Sequence, residues 1–383
     1  MKILIVGNAN HQYNINLCRH LKEYYRGNVI IDAFSLLKVT NPDTYKYFDK
    51  IYSPQLGFFN KIPKIRYYYR KYNLLELAKT VTDKYDICNI QSFENTTEVL
   101  SDFIKSRCNK LIVSYWGSDI YSASDKFIKK QFDLNDNADY ITFAAESLAD
   151  KYDLRFKALS DKKRKTVELG SEPLKEIIAI KNSTLKNNAK SHFHLPLNKY
   201  IVQIGYSGQS FHQHLSILER LKALSSRDKD KLFLLLPMTY GLKNSYYKKV
   251  LKMLESTNIE HKVLVEFLDD KELALLRMSV DLFVIVTLND ACCSTLLEHI
   301  YLGNRIIAGN WLPYKFIESK WGGKLCWVND LDDLLAKIII FTSDPDSVPC
   351  CSAELEEHVK NKVHWPNVIT KWADLYESLL DSN

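Results

Sequence analysis

VEFLDDKELALLRMSVDLFVIVTLNDACCSTLLEHIYLG, residues 265–303, decides how this chain is read. In order it offers a short strand, an acidic loop, a helix, a buried strand (DLFVIV), a polar loop, and a second helix beginning near Ser294 and ending at Gly303. A strand that runs into a helix N-terminus builds an anion site. The first-turn N–H groups are unpaired there, and the positive end of the helix dipole adds to them. Ser294 and Thr295 stand where the anion would lie, and Glu298 follows one turn later on the same face. A carboxylate cannot bind phosphate but can accept hydrogen bonds from ribose hydroxyls. The stretch spells a nucleotide-diphosphate pocket.

Working outward, the same alternation of strand and helix continues on both sides. Before the stretch come KYIVQIGYSG (199–208), the helix HLSILERLKALSS, DKLFLLLPMTYG (230–241), the helix YYKKVLKMLEST and KVLVEF. The first half has its own set: KILIVGN, a helix NINLCRHLKEYYR, NVIIDAFSL, YDICNIQS, KLIVSYWG and ADYITFAA. Strands alternating with helices predict parallel, doubly wound α/β sheets. Ligands of such sheets sit at the carboxyl ends of the strands, which puts residues 8–14, 91–96 and 116–121 along one edge. Residues 176–198, rich in Lys and Asn, read as a linker between a first domain (1–175) and a second (199–361). The closing segment, about 362–383, reads as an amphipathic helix returning to the first domain.

At 383 residues, 46% hydrophobic and 26% charged, the chain suits two globular domains. No run approaches the ~18–20 apolar residues of a membrane span. MKILIVGNANHQ lacks the features of a secretory signal and reads as a first strand, so a cytoplasmic protein is expected, on the inner face of the plasma membrane if on any. Eight cysteines without C-x-x-C or zinc spacing fit reduced thiols. Asp344-Pro345-Asp346 spells a D-x-D, but the proline makes it a turn, and no metal or other cofactor is expected. A net charge of +6 without a recognition motif gives no reason to expect nucleic acid.

Several residues carry candidate chemistry. The loop Gly205-Tyr206-Ser207-Gly208-Gln209-Ser210 lets backbone N–H groups approach a phosphate closely. Asp119 in WGSDIY fits either a base that orients an acceptor or a helix N-cap, while Glu94 and His11 are further candidates for proton transfer. Trp116 offers an aromatic face for a sugar, and Gly117 permits close approach. Residues 57–73 interleave Lys61, Lys64, Arg66, Arg70 and Lys71 with tyrosines and isoleucines, which suits an anionic membrane surface.

FLDDKELALLRMSVDLFVIV followed by Asp290-x7-Glu298 resembles the C-terminal half of GT-B glycosyltransferases, especially the retaining family 4. The resemblance implies two Rossmann-like domains facing across a cleft, with the donor nucleotide sugar on the second. It also implies that backbone groups of Phe267 and Leu268 contact the base, and that Asp290 and Glu298 form the donor's carboxylate pair. Family 4 usually brings an Arg and a Lys to the diphosphate from the loop near 205–210; neither is here, and Lys243 is the cationic substitute. Trp116 also replaces a His that touches the donor sugar in that family. WGSDIY and LPMTYG with Lys243 look closer to bacterial 4-acetamido-4,6-dideoxygalactose (fucosamine-type) transferases. The expected function is metal-independent transfer of a sugar from a nucleoside diphosphate to a glycan or polyprenyl-linked acceptor in surface polysaccharide assembly. The rivals are a sugar-nucleotide epimerase on the same fold and a non-catalytic partner subunit. Under family 4 behaviour the anomeric configuration is retained; under the alternative it inverts, with Asp119 or Glu94 as base.

Overall fold

Five apolar runs of the first half, with two short strands the sequence did not announce (β3 and the polar β7), become a parallel sheet: β1 (Lys2–Gly7), β2 (Ile30–Ser35), β3 (Ile51–Tyr52), β4 (Tyr85–Gln91), β5 (Cys108–Tyr115), β6 (Tyr140–Phe143) and β7 (Arg164–Thr166). Their order is β3-β2-β1-β4-β5-β6-β7. The central strands read as continuous apolar runs because helices cover both faces; Ile3 to Val6 are all buried. The second half forms a six-stranded parallel sheet from β8 (Tyr200–Ile204), β9 (Leu232–Pro237), β10 (Glu260–Leu264), β11 (Leu282–Ile285), β12 (Arg305–Gly309) and β13 (Cys326–Val328). Its order is β10-β9-β8-β11-β12-β13. Strand order reverses beside β1 in one sheet and beside β8 in the other, so each sheet has a switch point where ligands bind. Both are Rossmann-like.

This computed structural model describes residues 1–159 and 161–381. It divides into Met1–Gly170 with Trp365–Asn383, and Ser171–His364. The chain therefore changes unit at 170/171 and 364/365, a few residues from the boundaries expected at 175 and 362. The helix Trp365–Leu380 belongs to the first unit. Its Trp365, Val368, Trp372 and Tyr376 recur at helical spacing and are buried against Ile15, Leu17 and Ile31. Two hydrogen bonds fix it there: Trp372 Nε1 donates to Tyr13 Oη at 3.2 Å, and Asn89 Nδ2 to Tyr376 Oη at 2.8 Å.

The expected linker, 176–198, is not a linker. It folds as most of the helix Glu172–Ile180 and all of Lys186–His192, both in the second unit and both packed on the helix Asp270–Ser279. Its lysines misled the reading because they are used in pairs. Lys186 and Lys190 both reach Asp281, and Lys190 is buried while doing so.

Candidate functional site

In the second unit the strand-end loops are bound into one frame. Gly208 N–H donates to the Tyr240 carbonyl at 2.8 Å, joining the loop after β8 to that after β9. Leu288 N–H donates to the Phe211 carbonyl at 2.9 Å, and Trp311 Nε1 to that of Thr287 at 2.7 Å. Gly205 opens the first loop at φ +63°, a left-handed conformation, and a Cβ there would meet the His212 ring at 3.0 Å. That ring lies under the loop, its Nε2 2.8 Å from Ser207 Oγ, with Ser207 wholly buried. Burial lowers the pKa of His212 to about 3 and that of His214 to about 4, so both are neutral at pH 7. Lys243 sits just ahead of the helix Asn244–Thr257 and shares with Gly208, Ser210 and Lys249 a cavity of about 460 Å³.

The helix Ser294–Tyr301 begins as expected and ends at Gly303, whose φ of +71° gives the left-handed turn a helix end favours. Among the described residues, the N–H groups of Ser294 and Thr295 find no protein acceptor, as first-turn groups require. Asp290 accepts from the N–H groups of Ala291 (2.8 Å) and Cys293 (3.3 Å) and from the Tyr314 hydroxyl. Cys292 between them holds a φ of 122°, a strained value for a residue with a side chain. Burial, with Asp290 beside it, pushes the Cys293 thiol well up and disqualifies it as a thiolate nucleophile.

Glu298 sits one turn into this helix, as the sequence places it, but with protein partners of its own. It is buried: Oε2 accepts from Arg277 Nε at 3.0 Å and Oε1 from Ser171 Oγ at 2.9 Å. Arg277 also donates to Thr295 Oγ1 at 3.1 Å. Each oxygen keeps a second lone pair, but the buried position puts both partners of Glu298 inside the protein. The sequence does not show this partnership: Arg277 sits in ALLRMSVD, and a charge flanked by apolar residues one turn before a buried strand was the available signal. Of the residues expected near the base, Phe267 is 85% exposed and Leu268 half-buried, in the loop beyond β10. Asp269 and Glu272 close a capping box on the next helix.

In the first unit Asp119 is fully buried. Its carboxylate accepts from the N–H groups of Trp116 (3.1 Å), Gly117 (2.8 Å) and Phe93 (3.2 Å), stapling the loop after β4 to that after β5. Burial raises its pKa while those three bonds oppose the rise. Gly117 takes φ 145°, which this staple needs. With its oxygens committed to backbone, Asp119 is better suited to holding the loop than to taking a proton. Trp116 packs against His11 (ring centroids 4.7 Å apart) and Tyr13 (5.2 Å), and its Nε1 donates to Gln91 at 2.9 Å. His11 caps the helix Gln12–Tyr24, its Nδ1 accepting from Tyr13 N–H. Although its edge stays open, loss of water on the packed side lowers its pKa.

Glu94 differs from both. Among the described residues nothing hydrogen-bonds its carboxyl; burial raises its pKa and Arg70 pulls the other way. It lines a cleft of about 670 Å³ together with Arg66, Arg70, Phe93, Lys126 and Phe127. Arg66 and Arg70 come from the stretch assigned to a membrane surface, so that stretch, the helix Pro63–Thr80, has two faces. Lys61, Lys64 and Lys71 lie outside the cleft, as do Phe58 and Phe59, which stand exposed on the short turn just before the helix.

No protein-family model matches the sequence, and no curated protein matches it. Solved structures do. A glycosyltransferase from Rickettsia africae ESF-5 superposes with a TM-score of 0.74 at 14% identity, over 100% of this chain and 99% of that one. Sucrose-phosphate synthase from Thermosynechococcus elongatus gives 0.73 at 15%, over 100% of both. Anabaena HepE, solved with UDP and glucose, gives 0.66 at 13%, over 99% and 100%. The fold is GT-B.

Proposed function

We propose that this chain transfers a sugar from a nucleoside-diphosphate sugar to a glycan or lipid-linked acceptor in bacterial surface polysaccharide assembly. The observation that carries the reading is the donor edge of the second unit. There the Gly205–Gly208 loop, the unpaired first-turn N–H groups of Ser294 and Thr295, and Lys243 supply phosphate partners at a switch point. A leaving nucleoside diphosphate places its negative charge against these donors and the Lys243 ammonium, so departure proceeds without a metal ion. HepE was solved with UDP-glucose, which supports a nucleotide sugar as donor here. The acceptor is assigned to the first unit, where Glu94 is the carboxyl available to receive the attacking hydroxyl's proton. Attack then forms the new glycosidic C–O bond as the anomeric C–O bond to phosphate breaks.

The acceptor, on this reading, is met at an anionic membrane surface. Exposed Phe58, Phe59 and Tyr72 beside Lys61, Lys64 and Lys71 support that. No described helix is long and apolar enough to cross a membrane.

The test is calorimetric titration with UDP, GDP, dTDP and their sugars, followed by product analysis. One nucleotide should bind, Lys243→Ala should weaken it roughly tenfold, and turnover should survive EDTA. Binding to none of them, or an epimerised donor in place of a transfer product, would overturn the proposal.

A further inference from the structure

The first-unit cleft is lined by more basic side chains than acidic ones: Arg66, Arg70, Lys126 and Lys130 against Glu94 and the backbone-bound Asp119. Arg66 and Arg70 stand one helical turn apart on the helix Pro63–Thr80, and Lys126 faces them from the helix Asp125–Asp136. Lys130 also reaches the cleft but is engaged by Glu98 at 2.9 Å and by the Tyr67 hydroxyl at 2.9 Å. Among the described residues neither Arg66 nor Lys126 has a carboxylate within ion-pair reach. Arg70 is held from behind: its Nε donates to Asn60 Oδ1 at 2.6 Å, which fixes the plane of the guanidinium and leaves its outer nitrogens for something else. Two like charges at i and i+4 repel. Phe93 and Phe127, with centroids 6.0 Å apart, add apolar surface in the same cleft.

We propose that this cleft binds an anionic group, a phosphate, carried by the acceptor, with Arg66 and Arg70 gripping the phosphate and Glu94 facing the acceptor's hydroxyls. The proposal rests on the glycosyltransferase reading and narrows its acceptor class. A planar guanidinium pair matches phosphate geometry better than a lysine patch would. Because Glu94 lies near the bound anion, the two repel, and neutralising Glu94 has the opposite effect to neutralising an arginine. A merely structural role for these residues gives no such opposition. Burial and the neighbouring Arg66 already depress the pKa of Arg70, in keeping with a site waiting for a counter-charge.

Phosphate can arrive on a free sugar or on a polyprenyl lipid, and two arms separate these sources. In the first, hexose 1-phosphate and hexose 6-phosphate are titrated into the full chain and followed by phosphorus NMR line width. In the second, the chain is floated with phosphatidylcholine vesicles containing polyprenyl phosphate. Binding in one arm is expected, roughly tenfold weaker for Arg66→Gln with Arg70→Gln, and several-fold tighter for Glu94→Gln. Arg66→Gln alone, at an exposed position, serves if the double variant fails to fold. Unchanged binding in both arms for every variant, or no binding by the wild type, overturns the proposal. Nucleoside-diphosphate binding is measured alongside. If it is absent while phosphate still binds the cleft, the donor reading has failed and the cleft has not.

Discussion

The two units share a strand order around their switch points but secure their loops with different chemistry. In the first, one carboxylate, Asp119, collects three backbone N–H groups from two loops, and Arg66, Arg70 and Lys126 stay in an open cleft. In the second, loops are joined by backbone bonds, and the charge is sunk beneath them as the Arg277–Glu298 pair, with side chains 5% and 4% exposed. A charge left in a cleft is available to a ligand. A charge sunk under a loop positions the loop, and removing it unbalances the interior. Substitutions that look alike on paper should therefore be read out as binding in one unit and as stability in the other.

The sharpest way to break this contrast is Glu298→Gln. It leaves Arg277 buried beside a neutral amide, and losing one partner of such a pair destabilises by about 3–5 kcal/mol. Hydrogen exchange of β11 and β12 should quicken while β4 and β5 keep their rates. Arg277→Met with Glu298→Leu, which removes both charges, should recover most of the loss. If exchange is unchanged and only nucleotide affinity falls, Glu298 faces the ribose after all and the contrast dissolves.

Acid should separate the units next. His212 and His214 are held near pKa 3 and 4 in the folded second unit, against 6.5 unfolded, and His299 is also lowered by burial. The unfolded state takes up their protons first, so stability present above pH 6.5 drains as pH falls toward 4. Each histidine contributes up to about 1.4 kcal/mol per pH unit in that window. In the first unit one histidine, His11, is lowered likewise, but burial raises Asp119 and Glu94, and such carboxyls gain on acidification. Exchange between pH 7 and 5 should therefore accelerate in the second unit before the first. His212→Gln should blunt the difference, and equal acceleration in both units would refute it.

Asp119→Asn should weaken the first unit's loops by roughly 1–3 kcal/mol, since an amide turns a donor toward N–H groups that need acceptors. Residual activity should follow the residual folded fraction. Full stability with abolished turnover would instead make Asp119 the base.

The longer strands, their alternation and both switch-point edges were legible because a buried parallel strand is a continuous apolar run, whereas the two-residue β3 and the polar β7 carried no such run. Ser294 to Gly303 carried both ends of its helix in sequence. Partnership was less legible. Lys186 and Lys190 read as linker because Asp281 lies some ninety residues away in sequence. The pairing of Glu298 was hidden because Arg277 and Ser171 reach it from distant positions. Arg66 and Arg70 share a helix with the exposed lysines, and only the facing helix with Lys126 and the loop with Glu94 distinguish a cleft from a surface patch. Residue type and spacing specify a local element; which charges meet is set by tertiary packing.

The smallest expected effect probes a feature the first unit shares with the second, a histidine whose pKa burial lowers beside a strand end. Trp116 Nε1 donates to Gln91 Oε1, and the Gln91 amide nitrogen is buried without a partner of its own. Trp116→Phe removes that bond and leaves the whole amide unsatisfied, a loss of about 0.5–1.5 kcal/mol. The smaller ring also uncovers His11, whose pKa is lowered by burial and whose ring the indole packs against. Returned to water, His11 should titrate closer to 6.5, visible as a shifted midpoint of its ring proton by NMR, while His212 and His214 keep theirs. An unmoved His11 midpoint would mean that the ring owes its low pKa to Tyr13 and the loop backbone, and that Trp116 serves only to hold Gln91.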